Sequence, residues 1–229
     1  YGVFKNDNPP PSGGGGGGGS SSSSKENVIG GAISGGVTVS PGYDGENNKK
    51  SDVEFADIDE SHWSFVAVSE LCSEGIIKGY EDGTIRPSNN ITRADFAILL
   101  VRAFGLSSDN TENFADVSDS DYFAKELAVA RNTGIVNGIG DNKYAPRNTI
   151  TRQDMMVIVY RAMQKLGVEF ESGEAEYADF AEVADYAKEA VSALITAGLI
   201  NGKDGRIAPT EYTTRAEVAV LIKRIIDYK

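Results

Sequence analysis

One cysteine, one histidine and one tryptophan among 229 residues leave few of the groups on which catalysis and metal binding are built. Cys72 alone excludes an internal disulfide and a cysteine-cluster zinc site. His62 alone leaves no multi-histidine metal site and no serine–histidine pair that recurs along the chain. Basic residues are also scarce. Lys and Arg number 22 against 34 Asp and Glu, and the net charge of −12 argues against a general nucleic-acid binder and against adhesion to anionic membranes. No apolar run approaches the roughly 18 to 20 residues needed to span a bilayer. The chain opens at Tyr1 without a charged-then-apolar leader, which reads as a fragment or a processed chain. An anionic partner, if there is one, must be held by a local site against an unhelpful overall field.

Large apolar side chains are nearly missing from the first part of the sequence. Pro9-Pro10-Pro11 leads into seven glycines, Gly13 to Gly19, and five serines, Ser20 to Ser24. Such a stretch has nothing to bury and reads as a disordered, flexible linker over residues 1–52, with Val28 to Tyr43 a short apolar patch that could form an isolated strand. The remaining part is long enough for one sizeable core or a short array of repeats.

That part repeats. Phe55-Ala56-Asp57-Ile58, Phe114-Ala115-Asp116-Val117 and Tyr177-Ala178-Asp179-Phe180 open three segments offset by 59 and 63 residues. In each, an aromatic residue (Trp63, Tyr122, Tyr186) stands twelve positions before a glycine (Gly75, Gly134, Gly198). Between them Val68 and Leu71, Leu127 and Ala130, and Val191 and Leu194 keep helical spacing, with the glycine as C-terminal cap. Next come Gly-Ile-Ile-Lys-Gly at 75–79 and its counterparts at 134–138 and 198–202. A turn comes after (Asp82-Gly83, Asp141-Asn142, Asp204-Gly205), then a proline (Pro87, Pro146, Pro209). Two short extended stretches about the turn are expected, and the third copy is one residue shorter. A second helix closes each unit, with Phe96, Leu99, Leu100 and Ala103, or Met155, Ile158, Val159 and Ala162, as its buried stripe. The fold class is therefore mainly α, three helix-turn-helix units at 53–108, 109–171 and 172–229. No single unit can enclose a core, so the three should pack about a pseudo-threefold axis.

The second helix starts with Ile91-Thr92-Arg93-Ala94-Asp95, Ile150-Thr151-Arg152-Gln153-Asp154 or Thr213-Thr214-Arg215-Ala216-Glu217. A capping box accounts for each threonine and the acid three residues later. It does not account for Arg93, Arg152 and Arg215 at the first helical position, where a cation opposes the helix dipole by about 0.3 to 1 kcal/mol. Two explanations stand: a compact anion site made by the guanidinium and unpaired helix N–H groups, or an internal salt bridge, for instance to Asp57, Asp116 or Asp179. A second arginine nine residues on (Arg102, Arg161, Arg224) lies about 13 Å further along the helix and is expected to be solvated. Trp63, Tyr122 and Tyr186 could stack on sugar rings, although a place at a helix start under a repeat interface also suits a core aromatic. Asp82, Asp141 and Asp204 read as turn formers that could also accept sugar hydroxyls. The acidic loop from Asp116 to Asp121 lacks EF-hand spacing.

Together the Phe-Ala-Asp opening, the aromatic-to-glycine helix, Gly79-Tyr80-Glu81-Asp82-Gly83-Thr84-Ile85-Arg86-Pro87 and the thrice-repeated Thr-Arg signature resemble the S-layer homology domain family. The resemblance runs from about Phe55 to the C-terminus. It implies a pseudo-trimer whose inter-repeat grooves bind a secondary cell-wall polysaccharide attached to peptidoglycan, often pyruvylated, with no cofactor or metal. Arg93, Arg152 and Arg215 then correspond to the signature arginine that contributes to the polymer pocket. It also implies a secreted protein held at the wall of a bacterium, Gram-positive by this reading, and a non-enzymatic anchor. Repeat one is nearest the family pattern; Gln153, the Asp141-Asn142-Lys143 turn and Thr213 depart from it, so the grooves should be unequal. Protein–protein contact or self-assembly with surface-layer proteins is the alternative role, and Cys72, opposite Arg131 and Ile195 in the other copies, reads as tolerated rather than required.

Overall fold

A computed structural model describes residues 54–228 apart from Ser172, Glu174 and Ala175. The expected linker over residues 1–52, and the Val28 to Tyr43 patch with it, lie outside the described residues. Among the described residues run six helices: α1 (Phe65–Ser73), α2 (Arg93–Ala103), α3 (Ala124–Asn132), α4 (Arg152–Lys165), α5 (Lys188–Thr196) and α6 (Arg215–Ile226). Two short 3₁₀ turns, Phe180–Glu182 and Asp185–Ala187, lead into α5.

Each helix ends where its sequence says it should. Gly75, Gly134 and Gly198 take positive φ of 71°, 75° and 70° one residue past the C-caps of α1, α3 and α5, the left-handed position that only glycine adopts without strain. Thr92, Thr151 and Thr214 are the N-caps of α2, α4 and α6, and each hydroxyl accepts the backbone N–H three residues on. The reciprocal capping box forms only at Thr214 and Glu217. Asp95 and Asp154, one methylene shorter, do not bond back to the N-cap N–H and are left to make other contacts.

The two helices of one repeat do not pack on each other. α2 packs on α3, α4 on α5, and α6 returns to α1, so the main contacts pair the second helix of one repeat with the first helix of the next, and α2 also meets α4 and α6. The ring closes at its centre through the backbone. Ile91 N–H donates to Thr213 O, Thr213 N–H to Ile150 O and Ile150 N–H to Ile91 O, at 3.0, 3.3 and 3.1 Å. This cycle of three equivalent residues is the pseudo-threefold axis that the repeats imply. Phe96, Leu100, Met156, Leu127, Leu71 and Leu194 bury their side chains around it. Burying such a side chain stabilises by roughly 1.5–3 kcal/mol, and no repeat encloses one without its neighbours.

The Asp of each opening triplet holds the loop before the proline. Asp57 accepts the N–H groups of Ile85 and Arg86, Asp116 those of Tyr144 and Ala145, and Asp179 those of Ile207 and Ala208, all at 2.7–2.9 Å. Arg86, Ala145 and Ala208 have φ of 54°, 55° and 52°, an unfavourable backbone for a residue with a Cβ, and the paired carboxylate bonds offset that strain. The aromatic ring two residues before each Asp lies against the second glycine of the Gly-x-x-x-Gly run. A Cβ on Gly79 or Gly202 would meet the ring of Phe55 or Tyr177.

The expected extended stretches are not strands. Among the described residues the hairpins carry at most an isolated bridge, Gly140 with Lys143 and Lys203 with Arg206, because the left-handed residue and the proline end the arm after about two residues. Asp204-Gly205 and Asp141-Asn142 both have positive φ at their two central positions, which makes type I′ turns; in repeat one only Gly83 does. The residue lost in repeat three therefore tightens the loop without displacing Pro209 or the start of α6.

Candidate functional site

Backbone and side chain together make the signature arginine a joint between repeats. The N–H of Arg93 donates to Asn148 O, that of Arg152 to Glu211 O and that of Arg215 to Asn89 O. The next N–H in each helix, at Ala94, Gln153 and Ala216, donates to the carbonyl of Pro146, Pro209 and Pro87. With the third N–H taken by the cap threonine, the first three helical N–H groups of α2, α4 and α6 all have partners within the protein, and they do not make the expected site of unpaired N–H groups. The prolines of the neighbouring repeat occupy it.

The guanidinium groups continue the joint. Arg93 Nε donates to Tyr144 O, Arg152 Nε to Ile207 O and Arg215 Nε to Ile85 O, at 2.8–2.9 Å. All three arginines are buried, at 9, 6 and 7% exposure. A cation at the first helical position is thus tolerated because it caps a carbonyl of the adjoining repeat. The internal salt-bridge alternative is realised too, although with different acids. Arg93 Nη1 lies 3.4 Å from Asp154 and Arg152 Nη1 3.4 Å from Glu217, the capping acids of the following repeat, while Asp57, Asp116 and Asp179 serve the backbone. Arg215 makes no ion pair among the described residues; its Nη2 donates to Lys78 O instead, at 3.1 Å.

The helix-start aromatics are not core. Trp63, Tyr122 and Tyr186 are 63, 66 and 60% exposed, more open than their place at a repeat junction suggests. Tyr122 donates its hydroxyl to Asp95 at 2.8 Å and Tyr186 to Asp154 at 2.7 Å, each reaching back to the preceding repeat. Burial first, and then the carboxylate that accepts the proton, push both phenols up to about 12. They remain hydroxyls at any physiological pH, with the ring face open. Trp63 has no hydroxyl and stacks on His62 at 5.6 Å. An open depression of about 630 Å³ lies beside this pair, against Phe55, Asp57 and Ser61.

Each junction draws on three repeats. At one, Arg93 pairs with Asp154, which accepts the Tyr186 hydroxyl; at the equivalent positions Glu217 pairs with Arg152, with Trp63 the matching aromatic by sequence, and Asp95 accepts Tyr122, with Arg215 the matching arginine. The turn aspartates stand apart from this constellation. Asp82 is committed to its own loop: Thr84 donates from both hydroxyl and N–H, and Arg86 bonds at 2.8 Å. The Thr84 hydroxyl, ahead of Arg86, holds the carboxyl at about 2. Asp141 and Asp204 take left-handed turn positions, φ 49° and 52°, and are exposed. The later arginines are not simply solvated, since Arg102 pairs with Glu126 across α2 and α3 at 2.9 Å and Arg224 bonds Leu199 O. Sequence reading missed Tyr80 and Arg86, which adjoin Arg215: the Arg86 and Arg215 guanidinium carbons lie 3.8 and 5.0 Å from the Tyr80 ring centroid. Their signal was available, since Ala145 and Ala208 replace Arg86 and Ile139 and Lys203 replace Tyr80 in the other repeats.

The family model of the S-layer homology domain matches this chain three times, at residues 54–97, 113–156 and 176–219, together more than half of it. The chain belongs to the S-layer homology domain family. Its relatives include an exoglucanase, XynX, of Acetivibrio thermocellus, 32% identical over 183 residues that make up 78% of this chain and 17% of that protein. A surface-layer 125 kDa protein of Lysinibacillus sphaericus is 28% identical over 165 residues, 70% of this chain and 14% of the other. A cellulosome-anchoring protein of Acetivibrio thermocellus is 27% identical over 158 residues, 66% of this chain and 35% of the other. The chain thus spans a minor part of the length of these relatives. S-layer homology domains are cell-surface anchoring modules of bacteria, and this chain carries three of them in one closed ring.

Proposed function

We propose that the chain tethers the protein it belongs to at the cell wall by seating an anionic secondary cell-wall polysaccharide, pyruvylated on a sugar ring, in the grooves between its S-layer homology repeats. The observation that carries this reading is the convergence of buried Arg93 from one repeat, Asp154 from the next and exposed Tyr186 from the third, with buried arginines and exposed aromatics at the equivalent positions of the other two junctions. A guanidinium suits a carboxylate, an open ring face suits the apolar side of a sugar, and the capping acids suit its hydroxyls. Three such grooves on one ring give avidity without any strong single contact. The residues proposed to touch polymer are Arg93, Arg152 and Arg215 with Trp63, Tyr122 and Tyr186, and the turn residues Asp82, Asp141 and Asp204 at the rim. In this reading the carrier is secreted, the wall is that of a Gram-positive bacterium, and residues 1–52 are the tether to the rest of the protein.

Co-sedimentation with purified sacculi, before and after chemical removal of the secondary polymer, tests the reading. The variant to use is Trp63→Ala with Tyr122→Ala and Tyr186→Ala, because these side chains are exposed and their only cross-repeat hydrogen bonds among the described residues, to Asp95 and Asp154, are not to buried backbone; far-ultraviolet circular dichroism of the variant checks the fold. Replacing the arginines by alanine would also remove the bonds to Tyr144, Ile207 and Ile85 carbonyls and so confound binding with folding. Binding lost with the polymer and weakened at least tenfold by the triple variant is expected. Equal binding to stripped sacculi would overturn the polymer as ligand. Self-association in sizing experiments without polymer, together with no binding to sacculi, would favour the surface-layer assembly role.

A further inference from the structure

Two asparagines in the chain are followed by glycine, Asn137-Gly138 and Asn201-Gly202, and the other asparagines precede larger residues. The two pairs hold equivalent places in repeats two and three, at the close of the Gly-x-x-x-Gly run, where repeat one has Lys78-Gly79. Both asparagines are exposed, and neither side-chain amide has a hydrogen-bond partner among the described residues. The aromatic residue set against each glycine tells the pairs apart. Gly202 N–H donates to the Tyr177 hydroxyl at 3.0 Å, and Gly202 is half-buried. Repeat two has Phe114 at that place, which offers no acceptor. Gly138 N–H accordingly has no partner among the described residues, and Gly138 is exposed. The next residue is held, since Ile139 N–H donates to Lys143 O at 2.7 Å, and a Cβ on Gly138 would meet both that oxygen and the Phe114 ring.

We propose that Asn137 is a site of spontaneous deamidation, and that Asn201, in the same dipeptide, is shielded by the Tyr177 hydroxyl. Glycine lacks the side chain that would keep its nitrogen from the preceding amide, and its backbone freedom lets the two meet. The Gly138 nitrogen attacks Asn137 Cγ, its proton passes through water to Nδ2, the Cγ–Nδ2 bond breaks and ammonia leaves. Water then opens the cyclic imide. Addition at Cγ gives aspartate, and addition at the former backbone carbonyl carbon gives isoaspartate, whose chain runs through Cβ. At Asn201 the same attack must first break the bond from Gly202 N–H to Tyr177. Giving up a net hydrogen bond of that kind slows the step by roughly two- to tenfold. The product in repeat two carries a new negative charge and, as isoaspartate, an extra methylene in the backbone just before the glycine that Phe114 and Lys143 crowd. The same arm leads to Tyr144, whose carbonyl accepts Arg93 Nε, so the change falls beside the joint between repeats one and two. Lys78 in repeat one cannot react in this way, and the ring ages at its second repeat.

Incubation of the full chain in warm neutral buffer, followed by peptide mapping with mass spectrometry and by isoaspartyl methyltransferase labelling, reads each site separately. Asn137 should convert roughly two- to tenfold faster than Asn201. Asn132, which precedes Thr133 and donates its side-chain amide to three backbone carbonyls, should stay intact over the same period. Tyr177→Phe, which gives repeat three the residue of the other two, should bring Asn201 up to the rate of Asn137. In the urea-unfolded chain the two rates should converge, since the hydroxyl is then withdrawn from Gly202. Equal rates in the folded chain, a faster Asn201, or conversion of Asn137 no quicker than that of Asn132 would each overturn the inference. A contrast that persists in urea would do the same, by assigning it to the flanking sequence. So would an Asn201 rate unmoved in a Tyr177→Phe chain whose far-ultraviolet circular dichroism is that of the unaltered protein. The unaltered chain with and without urea decides the matter even where the variant fails to fold.

Discussion

Replacing Asp179 by alanine should cost about 3–5 kcal/mol of stability, because it removes two hydrogen bonds from a charged acceptor to buried amides, each contributing roughly 1.5–3 kcal/mol. Asp179 is 4% exposed, and the amides it holds belong to Ile207 and Ala208, at 0 and 5%. Neither amide has another acceptor among the described residues, and Ala208 sits at φ 52°, so the loop would lose the bonds that offset its strain. The loop carries Pro209, whose carbonyl receives Gln153 N–H, and Ile207, whose carbonyl receives Arg152. Damage there should therefore reach the α4 joint and unfold the ring as one unit. Asp57 makes the same two bonds in repeat one yet is exposed, and water can replace it, so Asp57→Ala should cost about a third as much, near 1–2 kcal/mol. Urea denaturation followed by far-ultraviolet circular dichroism measures both. Equal costs, or a loss at Asp179 under about 1 kcal/mol, would refute the reasoning that burial sets the value of this carboxylate. Acid adds a second reading of the same bonds. Burial pushes the Asp179 carboxyl up, but the Ile207 and Ala208 amides, with Arg206, outweigh it and hold the carboxyl below its ordinary range. Its contribution is then fully present above roughly pH 4 and lost as pH falls through the folded-state value, a loss Asp179→Ala should no longer show.

Two further outcomes are expected. The Asp82 carboxyl should titrate at about 2, and Thr84→Val should raise it toward the ordinary aspartate range, because the Thr84 hydroxyl is its foremost support; carbon-13 NMR of the carboxyl reads both values, and an unchanged value in the variant would assign the effect to Arg86. Burial pushes the Cys72 thiol up to about 11, against the pull of Arg215. At pH 8 its alkylation by iodoacetamide should therefore be slower than that of free cysteine by roughly a hundredfold or more, and a rate equal to free cysteine would show the site to be open.

Much of the site was legible because its signals are local and repeated. Thr92, Arg93 and Asp95 recur with their counterparts at fixed spacing, so a helix start and a cation placed against its dipole could both be read from the chain. What the arginine touches could not be read. Its partners, Tyr144, Asp154 and Asn148, lie more than fifty residues away, and nothing within one repeat distinguishes a guanidinium that holds a carbonyl from one that awaits an anion. The face the aromatics take could not be read for a related reason. Spacing puts Trp63, Tyr122 and Tyr186 at a repeat junction without saying which face they take; all three are exposed, and the acceptors of the two tyrosine hydroxyls, Asp95 and Asp154, lie in another repeat.

The sequence by itself determined the three units, their six helices, the glycine and threonine caps and the stripes that bury, because each depends on residues within one or two turns of one another. Only the tertiary structure decided how the ring closes, by pairing the second helix of each repeat with the first helix of the next, and which capping acid turns to which arginine. Those choices depend on how long a side chain is and on what another repeat sets beside it. Glu217 gives one oxygen to Thr214 N–H and the other to Arg152, whereas Asp95, held by Thr92 and Tyr122, makes no ion pair with Arg215, which bonds the Ile85 and Lys78 carbonyls.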